Sequence, residues 1–566
     1  MKKSAIVLFF SALLTITAFA QSVQEGVNHL YAERYASAKA NFEKMLASNP
    51  NNIEAVYWLG QTLIENDDVA GARALYEKAL TTNGNAPLLL VGMGHVELLE
   101  NKTNEARQRF ESAINLSKGK RGPDANVLNA IGRANVDAKA GDAAYAITQL
   151  TAAAATKDGA NNPDIWLNLG NAYRKAGNGG QAITAYQKAT QVNPKFAPAF
   201  FRQAKLYETQ RNWEIFTQQL NNAIQADPKF APAYYNLYYY TLLYPKDFAQ
   251  AEQYANQYIA NSDPSVQNDY IKAQTAFVQK KYDDAIVTAK NIITQAGDQT
   301  NPRVYRLLSY AHLEKGDTAG ARTYVDQFFA KAKEEDIAGA DLTLKADVYG
   351  KEDPSIVAPL YIQAAKQDSV LANQLKFLNE GIERFKASGQ KQYEAELRLA
   401  AYELKPEKNP AELFTIGLPY YQGGNFQKAD SLFSAYATAL PDSIYGHYWS
   451  ALARAQMDTT MEQGLAVPAY QKTLEVASTD KERFKNMGFQ AAGYLAGYYN
   501  NVKGEKDTAI TYLQKALEFD PTNTAIQKNI QILQKPAQKS TPPAKKPASG
   551  TKTSSSGAGT KSSGNS

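Results

Sequence analysis

Glycine recurs in this chain at a fixed interval. Gly26, Gly60 and Gly94 are each 34 residues apart, and Gly132 follows after 38 because the loop 118–122 adds residues. A period of this length is typical of stacked repeat architectures, in which one unit cannot bury its apolar face alone. The chain is therefore predicted to be an array of similar modules rather than a set of independent globular domains.

The clearest module combines two helical patterns. Its marked positions are Trp166, Leu169, Gly170 and Tyr173, followed by Ala182, Tyr186, Ala189 and Pro194. The first four fall at i, i+3, i+4 and i+7, which is one face of a helix, and the next three fall at i, i+4 and i+7 of a second helix. Small residues suit the places where paired helices approach most closely, and proline ends the second helix. The module is predicted to be a helix–turn–helix pair.

The second-helix pattern returns along the chain. Alanine holds its small position at Ala38, Ala72, Ala106, Ala182, Ala285, Ala429 and Ala509. A large apolar residue follows four positions after six of these, at Phe42, Tyr76, Phe110, Tyr186, Phe433 and Leu513. Both sets are expected in the core between paired helices.

These modules resemble tetratricopeptide (TPR) repeats, whose Trp, Leu-Gly, Tyr, Ala, aromatic, Ala and Pro positions they reproduce at the family spacings. The resemblance implies an all-α fold, a right-handed α-solenoid of about 13 or 14 TPR-like repeats across residues 22–534. Ile526, Ile530 and Leu533 form one apolar stripe on a last helix, which is predicted to cap the end of the array.

The strength of the motif divides the chain into segments. Repeats are well marked over residues 21–265 and again over 411–534, whereas the pattern is degenerate over 266–410. Two interpretations of the weakest stretch, 300–410, stay open. Continued helical periodicity without strand signals favours degenerate repeats, and an inserted functional domain is the alternative.

The two chain ends differ from this body. Residues 1–20 combine Lys2 and Lys3, an apolar stretch and a small-residue cleavage site, which predicts a cleavable signal peptide. The chain has no cysteine, so no disulfide is expected after export. We expect a bacterial protein that is periplasmic or secreted. Residues 535–566 are rich in Pro, Lys, Ser, Thr and Gly, which predicts a disordered tail.

The distribution of charge bears on partners. Eight of the 61 basic residues lie in the first 20 and last 32 positions, which contain no acid, so the body between them is slightly acidic. A nucleic-acid binder would instead concentrate basic charge on its folded surface, so no nucleic-acid partner is expected. The basic tail could contact anionic envelope surfaces weakly, or it could be a solubilising linker. No segment after the signal peptide is apolar enough to predict an integral membrane span.

Residues that could carry chemistry are sparse. The four histidines, His29, His95, His312 and His447, show no metal-ligand spacing, and His29 and His312 fall on a packing position of the repeat. Asp283 and Asp284 suit a helix start better than a catalytic pair. Neither a nucleophile elbow nor a phosphate-binding loop is present in the sequence. The sequence therefore predicts neither catalytic residues, nor a metal, nor a cofactor.

The family resemblance implies instead a binding surface. In tetratricopeptide proteins the first helix of each pair lines a concave groove, and some members clamp a peptide carboxylate with Lys, Arg and Asn from successive repeats. The corresponding candidates for peptide binding are Asn168, Asn171, Arg174, Arg202, Lys205 and Asn236. The family's clamp lysine is Leu167 here, which weakens the expectation of carboxylate specificity. A solvated polar face is the alternative interpretation of these six residues.

Two functions follow as expectations. The first is a non-enzymatic scaffold that binds protein or peptide partners in its groove, in envelope assembly or secretion. The second is an enzyme or glycan-handling protein whose site lies within residues 300–410.

Overall fold

A computed structural model of the chain describes residues 22–350 and 353–535. The predicted signal peptide and almost all of the predicted tail lie outside these residues. The described residues form 29 α-helices, and the only extended pairing among them is an isolated bridge between Gly119 and Gly122. The prediction of an all-α chain is confirmed.

The chain divides into two compact units between Lys333 and Glu334. In unit 1 the helices are α1 (Val23–Tyr31), α2 (Tyr35–Ser48), α3 (Ile53–Glu65), α4 (Val69–Asn83), α5 (Pro87–Leu99), α6 (Thr103–Leu116), α7 (Ala125–Asp137), α8 (Ala143–Ala154), α9 (Pro163–Lys175), α10 (Gly179–Val192), α11 (Ala197–Thr209), α12 (Trp213–Ala226), α13 (Ala231–Leu243), α14 (Phe248–Asn261), α15 (Val266–Val278), α16 (Tyr282–Ala296), α17 (Pro302–Glu314) and α18 (Thr318–Lys331). Unit 2 contains α19 (Gly339–Tyr349), α20 (Pro354–Gln367), α21 (Leu371–Ala387), α22 (Lys391–Leu404), α23 (Ala411–Gln422), α24 (Phe426–Ala439), α25 (Ile444–Met457), α26 (Val467–Ala477), α27 (Lys485–Asn501), α28 (Lys506–Phe519) and α29 (Thr524–Gln534).

Within each unit, consecutive helices pack as pairs that stack on their neighbours. Across the described residues, the 29 helices make fourteen such pairs and one final helix, α29. This agrees with the predicted number of repeats. The stripe of Ile526, Ile530 and Leu533 is half-buried on α29, as expected for a helix that covers the end of an array.

The small positions of the motif explain how tightly the paired helices pack. A Cβ atom on Gly170 would collide with the ring of Tyr186 on the partner helix. The same relation joins Gly26 to Phe42, Gly60 to Tyr76, Gly94 to Phe110 and Gly417 to Phe433. All seven alanines predicted for the second-helix core are fully buried. Gly or Ala at one position thus makes room for a large side chain at the other.

The stretch 300–410 is built in the same way as the rest. Its described residues form α17 to α22, and each pair packs on the next within its own unit. Gly381 takes the close-packing role there, since a Cβ atom at this position would meet Leu397 and Tyr361. The motif weakens because other residues make the same kind of contact, which supports the degenerate-repeat interpretation. The boundary between the two units lies inside the segment 266–410.

A buried hydrogen-bonded chain connects the second and third pairs. The Tyr76 hydroxyl donates to the Tyr57 carbonyl at 2.7 Å and accepts from Gln61 Nε2 at 3.0 Å. The other end of the Gln61 amide, Oε1, lies 3.0 Å from Nδ1 of His95. Only 1% of His95 is exposed, and burial lowers its pKa to about 3. Neutral His95 therefore donates to Gln61, and its role is structural.

This burial makes stability depend on pH. Unfolding restores an ordinary histidine pKa of about 6.5, so between about pH 6.5 and 3 the unfolded chain binds a proton that the folded chain does not. Stability therefore falls on acidification, by about 3 kcal/mol at pH 4.5 for this residue alone. Urea unfolding of the wild type and of His95→Gln at pH 7 and pH 4.5 measures it. Between pH 7 and pH 4.5 we expect the wild type to lose about 3 kcal/mol more stability than the variant. Equal losses would contradict the assignment.

Candidate functional site

The first pair of unit 1, α1 and α2, makes a contact that is very distant in sequence. Arg34, the residue at the N-cap of α2, makes no side-chain capping bond. Instead, the carboxylate of Asp263, between α14 and α15, accepts from the backbone amides of Ala36 at 2.9 Å and Ser37 at 3.1 Å, and from the Ser37 hydroxyl at 2.5 Å. A carboxylate here satisfies free amides and complements the helix dipole. Unit 1 thus curves until its first pair reaches the loop after its seventh.

The end of α1 enters a group of five polar side chains, the inner polar cluster: Tyr31, Asn129, Arg133, Asp164 and Asn168. The Tyr31 hydroxyl donates to Asp164, and Arg133 donates to Asp164 and, at 2.9 Å, to the Tyr31 oxygen. Asn129 Nδ2 donates to Asp164 at 2.6 Å, and Asn168 Nδ2 donates to Asn129 at 2.9 Å. The first, fourth and fifth pairs are joined through this one carboxylate.

The electrostatics of the inner polar cluster keep Arg133 charged. Only 8% of the Arg133 side chain is exposed, and its guanidinium also lies 4.3 Å from the ring centre of Trp58. Burial alone would lower the pKa of Arg133, but the charge of Asp164 raises it well above the ordinary value. Burial also raises the pKa of Tyr31, so its hydroxyl keeps its proton and can donate to Asp164.

Two of the cavities against α1 share part of their lining. The smaller cavity, of about 100 Å³, has walls that include Tyr31, Tyr35, Trp58 and Phe201. The open groove, of about 690 Å³, is lined by α1, α3, α7 and the starts of α5 and α9. Tyr31 and Arg133 belong to the linings of both. The inner polar cluster therefore lies between the smaller cavity and the open groove.

Three carboxylates line the smaller cavity with Arg202: Glu33, Glu65 and Asp137. Their residues are partly open to solvent, and desolvation by the surrounding protein raises the pKa of each, that of Asp137 to about 7. The negative charge of Glu65 adds to the effect on Asp137.

The structure brings together only some of the six predicted binding residues. Asn168, Asn171 and Arg202 line the smaller cavity, and the two asparagines are 3% and 6% exposed. Lys205 Nζ donates to Asn236 Oδ1 at 3.2 Å and pairs with Glu208. Arg174 is exposed and is not part of either cavity lining.

The aromatic residues near these positions mainly build the core. Tyr238 is fully buried, and Tyr235 packs 4.8 Å from Tyr239 between ring centres. Phe200, Phe201 and Tyr240 pack on the apolar core of α11 to α13. These aromatic side chains therefore serve mainly as packing between helices.

Sequence reasoning missed Tyr31, Arg133 and Asp164. Arg133 directly follows the motif glycine Gly132. No local sequence pattern marks Tyr31 and Asp164 as its partners. Within the described residues, no group of three or more His, Asp or Glu could hold a metal ion. No helix among those residues is long and apolar enough to cross a membrane.

Comparison with protein families identifies the fold. Models of the tetratricopeptide repeat match residues 29–89, 163–196 and 494–523, in both units. The chain contains tetratricopeptide repeats. The glycine–aromatic contacts and paired helices described above are those of TPR repeats.

Solved TPR structures resemble parts of the chain. The C-terminal part of a TPR repeat-containing protein from Cytophaga hutchinsonii is 23% identical, covering 46% of this chain and 99% of that one, with a TM-score of 0.26. A TPR protein from Parabacteroides merdae is 17% identical, covering 45% and 97%, with a TM-score of 0.36. YrrB, described as a TPR protein with an unusual peptide-binding site, is 21% identical, covering 34% and 96%, with a TM-score of 0.22. A search of curated protein sequences finds no match.

Proposed function

We propose that this protein is a non-enzymatic scaffold that holds an extended segment of a protein partner in the open groove of unit 1. The observation that supports this most directly is the groove itself, about 690 Å³ in volume and lined by side chains from several successive pairs. A binding site spread over repeats suits a ligand that is long rather than compact.

The chemistry of the open groove suits a polypeptide backbone. Its walls carry the exposed or half-exposed amides of Gln24, Asn28, Asn126 and Asn162. Each amide side chain both donates and accepts, as a peptide unit does, so these groups can pair with an extended chain of many sequences. Half-buried Trp58 offers an apolar contact beneath them.

Charge restricts the partner further. Glu54 and Asp124 lie on the rim with a single exposed lysine, Lys195, while Arg133 is already paired with Asp164. The groove is therefore weakly acidic. A neutral or basic segment fits it better than the peptide carboxylate expected from the family clamp.

Two further elements of the proposal rest on the sequence. The character of residues 1–20 supports export to the bacterial periplasm or outside, and a role in envelope assembly or secretion follows from that location. The helix pairs formed by the described residues of 300–410 support a scaffold rather than an inserted enzyme domain.

Filling the open groove should weaken peptide binding. Peptides selected from a displayed decapeptide library on the wild-type protein are expected to bind Asn126→Trp at least about tenfold more weakly, a loss of about 1.4 kcal/mol, because the indole occupies the wall that the amide lines. Fluorescence polarisation of the labelled peptides measures the dissociation constants.

The matched control is Gln108→Trp, at an exposed position on α6 that is outside the groove lining. It should leave binding within about twofold. A library that yields no binder, or binders held equally by both variants, would argue against the groove.

A further inference from the structure

One turn of unit 1 exposes apolar side chains where the turns beside it expose polar ones. It joins α13 to α14, and its Leu243, Tyr244 and Phe248 are 61%, 54% and 40% exposed. The corresponding turns of the pairs on either side are Gln-Arg-Asn at 210–212 and Gln-Lys-Lys at 279–281. Adjacent large apolar residues exposed on a folded chain mark an interaction site. We call residues 243–248 the apolar turn.

The apolar turn projects from the end of its helix pair. Its connecting residues, 244–247, are one more than in either flanking turn, and every residue from Leu243 to Ala249 is exposed. The ring centre of Tyr244 lies 4.4 Å from that of Trp213 and 5.5 Å from that of Tyr240. Because these two half-buried rings support Tyr244 from behind, its ring stays at the surface instead of folding into the core.

Basic residues recur beside the apolar turn. Arg211, Lys246 and Lys280 hold the same place in three successive turns, directly before the N-cap of the second helix, and all three have a left-handed backbone conformation. Glycine adopts this conformation with the least strain, and Gly177 and Gly316 hold the same place in the next turns outward. Three consecutive turns thus have a cation where their neighbours have glycine.

These three turns lie side by side on one edge of unit 1. Trp213, the first residue of α12, contacts Tyr244 directly. Leu242 and Val278, near the ends of α13 and α15, pack in the same apolar cluster. The apolar turn is therefore flanked by basic turns on both sides.

Carboxylates close to these turns moderate the positive charge. Asp247 caps α14, and Asp283 pairs with Lys315, so both are engaged within the chain. Glu214 and Asp284, in the first turns of α12 and α16, are exposed. Apolar contact therefore has to provide most of the binding energy at this edge, with a smaller contribution from charge.

We propose that the apolar turn is a membrane-docking site, through which unit 1 rests on the interfacial region of a lipid bilayer that contains anionic lipids. A fluid interface covers a projecting apolar tip without a pocket shaped to fit it. Tyrosine suits the level of the lipid headgroups because its ring is apolar and its hydroxyl is polar. Lysine and arginine around the tip attract anionic headgroups. The open groove is a separate surface, because its lining contains no residue of the apolar turn.

Placing a carboxylate on the tip should release the protein from vesicles. The chain from Gln21 to Ser566, the form expected after signal cleavage, is sedimented with vesicles of phosphatidylcholine mixed with phosphatidylglycerol. Leu243→Glu should lower the partition coefficient at least about tenfold, because glutamate enters the interface far less readily than leucine. The matched control is Leu116→Glu, at a leucine that is 56% exposed at the far end of a second helix, and it should stay within about twofold of the wild type.

A second pair of variants tests the charge. Lys280→Gln with Lys281→Gln should lower partition into the mixed vesicles at least about fivefold and leave partition into pure phosphatidylcholine within about twofold. Lys118→Gln with Lys120→Gln is the control, because these two exposed lysines lie in the loop after α6, at the opposite edge.

A fluorescent probe reports on the tip itself, apart from the basic tail. Because the wild-type chain contains no cysteine, Leu243→Cys gives a single site for an environment-sensitive nitrobenzoxadiazole label. Its emission should rise and shift to shorter wavelength on addition of the mixed vesicles. The same label at Gln225→Cys, on an exposed position 12 residues after Trp213 and about 18 Å further along α12, should not respond.

Three results would overturn the proposal. The first is equal partition of the Leu243→Glu and Leu116→Glu variants, and the second is a label at position 243 that does not respond to vesicles. Either result would leave a pocket of a partner protein as the cover of the tip. The third is a wild-type dimer, seen by analytical ultracentrifugation without lipid, that Leu243→Glu abolishes, because a second copy of the chain would then cover the tip.

Discussion

Replacing Asp164 with alanine should lower the free energy of unfolding of unit 1 by about 3–5 kcal/mol, because it leaves a buried guanidinium without its partner. The Arg133 side chain is 8% exposed, so a small movement cannot bring its guanidinium back into contact with solvent. Tyr31 and Asn129 lose their acceptor at the same time. The size of the loss reflects an uncompensated charge more than the strength of any one bond.

Urea unfolding followed by tryptophan fluorescence measures this loss. In a Trp449→Phe background the three remaining tryptophans all lie in unit 1, so the signal reports that unit. The matched control is Asp124→Ala, which removes an exposed helix cap and should cost about 1 kcal/mol. If the losses of the Asp164→Ala and Asp124→Ala variants agree to within about 1 kcal/mol, the inner polar cluster does not stabilise unit 1 as predicted.

Replacing Tyr76 with alanine should cost about 3–5 kcal/mol, the range for deleting a fully buried aromatic side chain. Its ring is 0% exposed and fills the space left by two glycines, Gly60 and Gly92. The substitution leaves a cavity between two adjacent helix pairs. This cavity should persist, because the backbone cannot move into it without breaking the packing of both pairs.

Tyr76→Phe isolates the hydroxyl. It keeps the ring but removes the hydroxyl that accepts from Gln61 Nε2 and donates to the Tyr57 carbonyl, which should cost about 1–3 kcal/mol. The same fluorescence assay measures both variants. Equal losses for the alanine and phenylalanine variants would show that hydrogen bonding, rather than packing, dominates at this position.

Most of the local fold was predictable because the interactions that define it are close in sequence. The spacing from Gly60 to Tyr76 is set by one helix and one turn, so a 34-residue period predicts the contact directly. The predicted buried alanines, the capping stripe on α29 and the continuation of helices through 300–410 follow from the same periodicity.

The candidate site was less predictable, because it depends on curvature. Each pair rotates slightly relative to the last, and only the sum of these rotations brings Tyr31 to Asp164 and Ser37 to Asp263. No local pattern encodes that sum. The repeat register did place Asn171 and Arg202 on the inner face, but it could not show that residues of the first pair cover them.

The Asp263 cap has a consequence for how the chain is made. A linear array can complete each module as it leaves the ribosome, but α2 receives its cap from a residue 226 positions later than Ser37. At about 5–20 residues per second, the first pair waits roughly 10–45 s for that carboxylate. During this interval the first helix pair of the nascent chain lacks its cap. Chaperones that recognise unfinished chains therefore have a defined target at the N-terminal end.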